Sequence, residues 1–407
     1  MSADPAADRA ADPAPDPAPH LRVDPSPRPP HCYDPSIPPY RDELGVHVHD
    51  HRTVRALLRD PQRVTSDVSE LVTAEQRDRI HPVAAFVWAT DRRTLSGCPG
   101  RHAALRSLMA PWFTPEDAAA RQPAARAVAE RVVAGLADRP FELHHDYAKP
   151  VVVRYLADWL GVRPDDVMFA VADQLAAGDM FATWPPPSPP GMDDHYRALM
   201  ARPDLHGIAA ELQALVRAGG LGEREAWGIL YALSVSAVAT ATTAILATGL
   251  AVVHGQWHRM VDPAFARGAV EETVRFGSPF PQASRFAREP FTLGDVAVQP
   301  GEQVLMWLTA ANRDLPGPHR TPLDRYDPER DTAQHVGWGS GYHLCGGVHH
   351  ARAVAVTAVT TLARRLPELD LGGPWKRFVG IDDGFADAPV VPRGGRAREG
   401  SAERYAQ

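Results

Sequence analysis

The sequence predicts a mainly α protein with a small β domain. Three observations carry that prediction. The stretch "AWGILYALSVSAVATATTAILATGLAVV", Ala226 to Val253, holds no charged side chain and is long enough to run as one helix through a protein core. Several other segments space their apolar residues three and four apart, the helical period. Alternation of apolar and polar residues, the strand period, enters only after Phe286, in "FTLGDVAVQPGEQVLMWLTAANRD".

The elements follow in order. The opening "MSADPAADRAADPAPDPAPHLRVDPSPRPP" has too few large apolar residues to bury a core and lacks the basic start and apolar run of a secretory leader. Residues 1–31 are therefore expected to be a disordered tail. "HDHRTVRALLRDPQRVTS" reads as a helix stopped at Asp60-Pro61, since proline cannot continue one. "HAALRSLMAPWFTPEDAAARQPAARAVAERVVAGLA" reads as two helices broken near Pro111 and Pro115. "DDVMFAVADQLAAG" is helical, and the prolines of "MFATWPPPSPPGMDD" make a loop. An amphipathic stretch near His206–Ala218, the central helix and a helix around Gly268–Phe276 come next. Turns at Gly294-Asp295 and Pro300-Gly301 punctuate the strands, and "HHARAVAVTAVTTLARRLPELDL" returns to helical period. The apolar run at 226–253 exceeds a bilayer's thickness. It is mid-chain, diluted by Ala, Ser, Thr and Gly, and has no second of its kind, so a buried helix and no membrane association are expected.

The 407 residues, 44% hydrophobic, can bury a large core. A net charge of -7 lacks the basic excess of a nucleic-acid binder. Three cysteines, Cys32, Cys98 and Cys345, make no disulfide framework and share no close metal-ligand spacing, which points to a reducing, cytoplasmic setting.

One of them stands in "GWGSGYHLCGG", Gly337 to Gly347. Glycines allow positive φ and let backbone N–H groups turn toward one sulfur. A helix starting just after Cys345 aims its positive end there as well. Both effects stabilise a thiolate. Such a thiolate serves a nucleophile, with His343 as base, or a haem ligand. The stretch alone does not decide between them.

The longer stretch "GWGSGYHLCGGVHHAR" resembles the haem-binding loop of the cytochrome P-450 superfamily, with Gly339, Gly341, His343, Cys345, Gly347, Ala351 and Arg352 in register and Trp338 where the family has phenylalanine. "EETVRF" resembles the family's Glu-x-x-Arg helix through Glu272 and Arg275, and "LDRYDPER" the segment of its third charged partner, taken as Arg325. "GRHAALRSLMAPWFTP" resembles the helix whose His102 and Arg106 would bind a haem propionate. "SRFARE" resembles the strand whose Arg285 does the same, a role His343 shares. "AANRD" is a further familiar stretch, and the resemblance runs from Cys32 to about Val391.

The resemblance implies the cytochrome P-450 fold as a single domain over 32–407. It implies haem b on Cys345, with Trp338 and Gly347 beside it, and oxidation of a small organic substrate, free or held by a carrier protein, in bacterial secondary metabolism. Dioxygen and electrons from a separate ferredoxin with its reductase, or a flavodoxin, would serve a monomer. In the central helix "VATATT" is aligned so that Thr242 is the oxygen-activating threonine and Ala241 replaces the usual acid. Alanine cannot relay protons. Substrate or water would then deliver them, or the reaction would be an atypical coupling or nitration. A non-catalytic helper protein is the rival reading, which Cys345 opposes. Phe86, Trp88, Phe181, Trp184 and Val238 are the expected pocket residues. Indole carries a donor that phenylalanine lacks. The Trp338 N–H would point at the Cys345 sulfur or bond to a carbonyl or water.

Overall fold

The computed structural model describes residues 29–66, 107–136, 139–176, 191–378 and 384–393. A 3-10 turn, Pro30–Tyr33, starts the described chain, and Cys32 and Tyr33 bury against Trp307 and Ala310. Strands β1 (Tyr40–Arg41) and β2 (Val46–Val48) follow, then helix α1 (His51–Leu58), capped where the Asp50 carboxylate accepts the Thr53 N–H, and β3 (Val64–Thr65). Helix α2 (Pro115–Ala134) has Thr114 as its N-cap and tolerates Pro123 in its interior. Next come β4 (Phe141–Glu142), a π-helical turn (Leu143–Ala148), and helices α3 (Lys149–Leu160), α4 (Pro164–Ala176), α5 (Met192–Met200) and α6 (Gly207–Arg217). The central helix α7 (Glu223–Val253) precedes α8 (Pro263–Gly277). Strands β5 (Gln282–Ala287), β6 (Phe291–Leu293), β7 (Val296–Val298) and β8 (Gln303–Trp307) come before the long loop to α9 (Val348–Arg365). Strands β9 (Leu369–Leu371), β10 (Lys376–Phe378), β11 (Gly384–Asp387) and β12 (Pro389–Pro392) close the described chain.

The uncharged run does form one helix, and it packs against α3, α4, α8 and α9. Its apolar residues are covered by protein, which is why a composition long enough for a bilayer serves here as core. The β component does not begin late, as the alternation suggested. Strand order in the largest sheet is β1-β2-β8-β5-β3, so residues near 46 lie beside residues near 304, with Val46 opposite Val304 in parallel register. Strands of two or three residues carry no readable period, and only long-range pairing defines them. The β6–β7 hairpin turns at Gly294-Asp295, as its composition predicts. Helix α3 and the π-helical turn before it are not among the elements the sequence predicts.

Candidate functional site

Cys345 sits at the end of the loop before α9. The loop's path needs glycine at two points. Gly339 has φ +76°, and a Cβ there would come 3.1 Å from the His343 carbonyl oxygen; Gly341 has φ +69°, and its Cβ would strike the Leu58 carbonyl at 2.7 Å. The turn is tied by the Cys345 N–H donating to the Trp338 carbonyl at 2.8 Å. Gly347 then acts as N-cap of α9, and a Cβ on it would meet open space.

The Cys345 side chain lines a cavity of about 560 Å³, within the range of small-molecule and cofactor sites. The residue is half-buried: protein surrounds it, yet it faces the cavity. Burial pushes its thiol up from the ordinary value, opposed by a hydrogen bond with the Gly347 backbone and by the Arg352 charge. A metal would deprotonate it, because its charge offsets the cost of burial. Arg285, on β5, and His343 line the same cavity. His343 Nε2 lies 3.5 Å from the Ser66 hydroxyl, and Arg285 Nη1 donates to the Ser284 carbonyl. One apolar cavity thus brings together a sulfur, a helix N-terminus, a guanidinium and an imidazole. That donor set fits an iron porphyrin, whose metal takes a thiolate and whose carboxylates take cations.

Beneath the loop the charged core is complete. Arg275 Nε and Nη2 both donate to Glu272 at 2.7 Å, and neither side chain has measurable exposure. One helical turn separates them, so both leave the same face of α8. The third member is Arg330, not Arg325. Arg330 Nε lies 3.4 Å from Glu272 Oε1 with 3% of its side chain exposed. The side chain of Arg325 is exposed, and only its carbonyl takes part, accepting from Arg275 and Arg330. The chain turns at Asp327, whose N–H donates to Glu272, and that turn delivers the arginine three residues later. Asn312 of "AANRD" extends the network: its carbonyl accepts from Arg275, and its side-chain oxygen accepts from the Val336 N–H, just upstream of the cysteine loop.

The Trp338 ring lines the cavity, but its N–H does not bond the sulfur. It donates to Glu271 Oε2 at 3.1 Å. Glu271 also takes His335 at 3.3 Å and both Arg352 Nε and Nη2. Burial alone would raise its carboxyl; hydrogen bonds from His335, Arg352 and Trp338 together with the Arg352 charge hold it at about 2.

On α7 the cavity face carries Ala232, Ser236, Ala239, Thr240 and Thr243, which recur with the helical turn. Thr242 and Ala241 are buried but are not part of the cavity wall, nor is Val238, which packs on the core. Two threonines reach the cavity: Thr240 and, one position beyond the expected Thr242, Thr243. The Thr243 hydroxyl donates to the Ala239 carbonyl at 2.8 Å. Two adjacent threonines look alike in sequence, and only the rotation of the helix, about 100° per residue, separates them. Among the described residues no carboxylate lines the cavity.

Sequence reasoning also missed Tyr155, Trp159 and His350, which line it too. His350 Nδ1 meets the Tyr155 hydroxyl at 2.6 Å, its Nε2 meets the Trp112 carbonyl at 2.9 Å, and its ring stacks on Trp159 at 4.1 Å. These come from α3 and α9, and no motif links them. His102, Arg106, Phe86, Trp88, Phe181 and Trp184 lie outside the described residues.

No family model matches the chain. Relatives do. It is 30% identical over 311 residues to the vitamin D(3) 25-hydroxylase of Pseudonocardia autotrophica, covering 70% of this chain and 72% of that protein. It is 29% identical over 362 residues to the mycinamicin IV hydroxylase/epoxidase of Micromonospora griseorubida, covering 83% and 85%. Among solved structures, P450BioI in complex with an acyl carrier protein ligated to hexadec-9Z-enoic acid superimposes with a TM-score of 0.70 at 23% identity, over 87% of this chain and 95% of that one. The fold, the cysteine loop and these relatives agree: the chain belongs to the cytochrome P450 superfamily of haem-dependent monooxygenases.

Proposed function

We propose that the protein uses haem b to oxidise a small organic substrate of bacterial secondary metabolism, with dioxygen and electrons from a separate ferredoxin or flavodoxin, as a cytoplasmic monomer. The observation that carries this reading is the Cys345 sulfur in the wall of an apolar cavity, at the N-terminus of α9 and beside the Gly347 backbone. Bound haem would supply the activation of dioxygen. Cys345 would hold the iron as a thiolate. Arg285 and His343 would neutralise the carboxylates, with His102 and Arg106 assigned to the same task.

Proton delivery falls to Thr243. Its O–H is spent on the Ala239 carbonyl, which leaves its lone pairs to accept from a water in the cavity. No carboxylate of the described cavity stands behind that hydroxyl, so a water chain or a polar group of the substrate carries the protons. The same absence favours a second reading, an oxidative coupling or nitration that leans less on a relay. A carrier-bound substrate is compatible with this reading, since P450BioI takes one in the complex described above.

The test is the reduced carbon monoxide spectrum of the purified protein. A thiolate-type band is expected, and Cys345→Ser should lose it. Persistence of the band in that variant, or a wild-type protein that takes up no haem, would refute the assignment. A substrate screen by haem spin-state shift then identifies the substrate class.

A further inference from the structure

The π-helical turn at Leu143–Ala148, far along the chain from the cysteine loop, brings together Glu142, His144 and His145, each with one ligand atom within 4.8 Å of the others. We propose that this trio binds a divalent transition-metal cation of the zinc class. Zinc is held by imidazole nitrogen and carboxylate oxygen at about 2.0–2.2 Å. Tetrahedral ligands at that reach are about 3.4 Å apart. Of the three, His145 is exposed and the other two are half-buried.

Two observations point from this cluster to a cation. The Nδ1 of His144 is buried with no hydrogen-bond partner, while its ring is engaged with the Phe385 backbone. The partner of the bonded nitrogen fixes the tautomer, and the lone pair is left at Nδ1. This is the arrangement in which metal-binding histidines are held. An unsatisfied buried nitrogen is costly, and a bound cation would relieve that cost. Glu142 is the second observation. Its carboxylate accepts backbone N–H groups from His145 and Ala388, and each of its oxygens keeps a further lone pair for a cation.

The surrounding charges are mixed. Asp146, which accepts the Glu142 N–H, adds a negative charge; Lys149 sets a positive one near His144. The turn packs against α7, and the Leu143 N–H donates to the Ala388 carbonyl. A cation here would therefore tie the link between β11 and β12 to the helical core. π-Helical turns concentrate at functional sites.

The test uses the full haem-loaded protein, stripped with a chelator and titrated with zinc alone by equilibrium dialysis. One saturable site per chain is expected, together with a rise in unfolding temperature. His145→Ala removes an exposed ligand, cannot upset the core, and should cost at least about tenfold in zinc affinity; His144→Ala should abolish the site. His206→Ala, an exposed histidine elsewhere, should leave binding unchanged. No saturable zinc site in the wild type, or the same affinity in His145→Ala, would overturn the proposal, whatever the haem spectrum shows.

Discussion

The indole N–H of Trp338 donates to Glu271 Oε2 at 3.1 Å, and the Arg352 guanidinium lies 5.4 Å from the centre of the same ring. Tryptophan in this loop is thus held from behind by α8 and α9, and its donor is directed away from Cys345. Trp338→Phe keeps the ring and removes the donor. The haem reduction potential should stay unchanged, and stability should fall by about 1.5–3 kcal/mol for the lost bond to a charged acceptor. Redox titration and denaturant unfolding check both; a clear drop in potential would mean that the indole reaches the sulfur after all.

The Glu271 carboxyl carries a pH dependence. Its folded value, about 2, lies below the ordinary 4.5, so its contribution to stability is fully present above about pH 4.5 and is lost as pH falls through 2. The shift corresponds to at most about 3 kcal/mol. Glu271→Gln should flatten the acid limb of the stability curve and lower stability at pH 7. Parallel curves for variant and wild type below pH 4.5 would contradict this.

Arg330 and Arg325 separate cleanly. Arg330→Ala removes a cation from a fully buried carboxylate and should cost about 3 kcal/mol or more, with loss of haem retention. Arg325→Ala keeps the carbonyl that matters and should stay within about 0.5 kcal/mol of wild type. Equal effects in chemical denaturation would return the third position to Arg325.

Thr243→Val should lower the yield of product per electron by about tenfold or more and divert electrons to hydrogen peroxide, at unchanged haem binding. Thr242→Val should leave that ratio as it was, since its side chain lies in the core. Ala241→Asp would bury a carboxylate there and destabilise the protein without restoring a relay. Uncoupling in Thr242→Val with none in Thr243→Val would reverse the assignment.

Much of this molecule was legible in the sequence because it is local. Glycines at 339 and 341 encode the loop's left-handed turns, the Glu272–Arg275 spacing places two side chains on one helix face, and the uncharged run at 226–253 can only be a helix wrapped in apolar contacts. Tertiary structure decided what depends on rotation and distance. Thr243 rather than Thr242 faces the cavity because helix α7 is turned by its packing. Arg330 rather than Arg325 meets Glu272 because the chain turns at Asp327. The Trp338 donor goes to Glu271 because α8 brings a carboxylate 67 residues away within reach. The parallel pairing of β2 with β8 and the convergence of Tyr155, Trp159 and His350 are of the same kind. Each joins residues far apart in the chain, and a single sequence records which groups are present without recording which of them the folded core brings into contact.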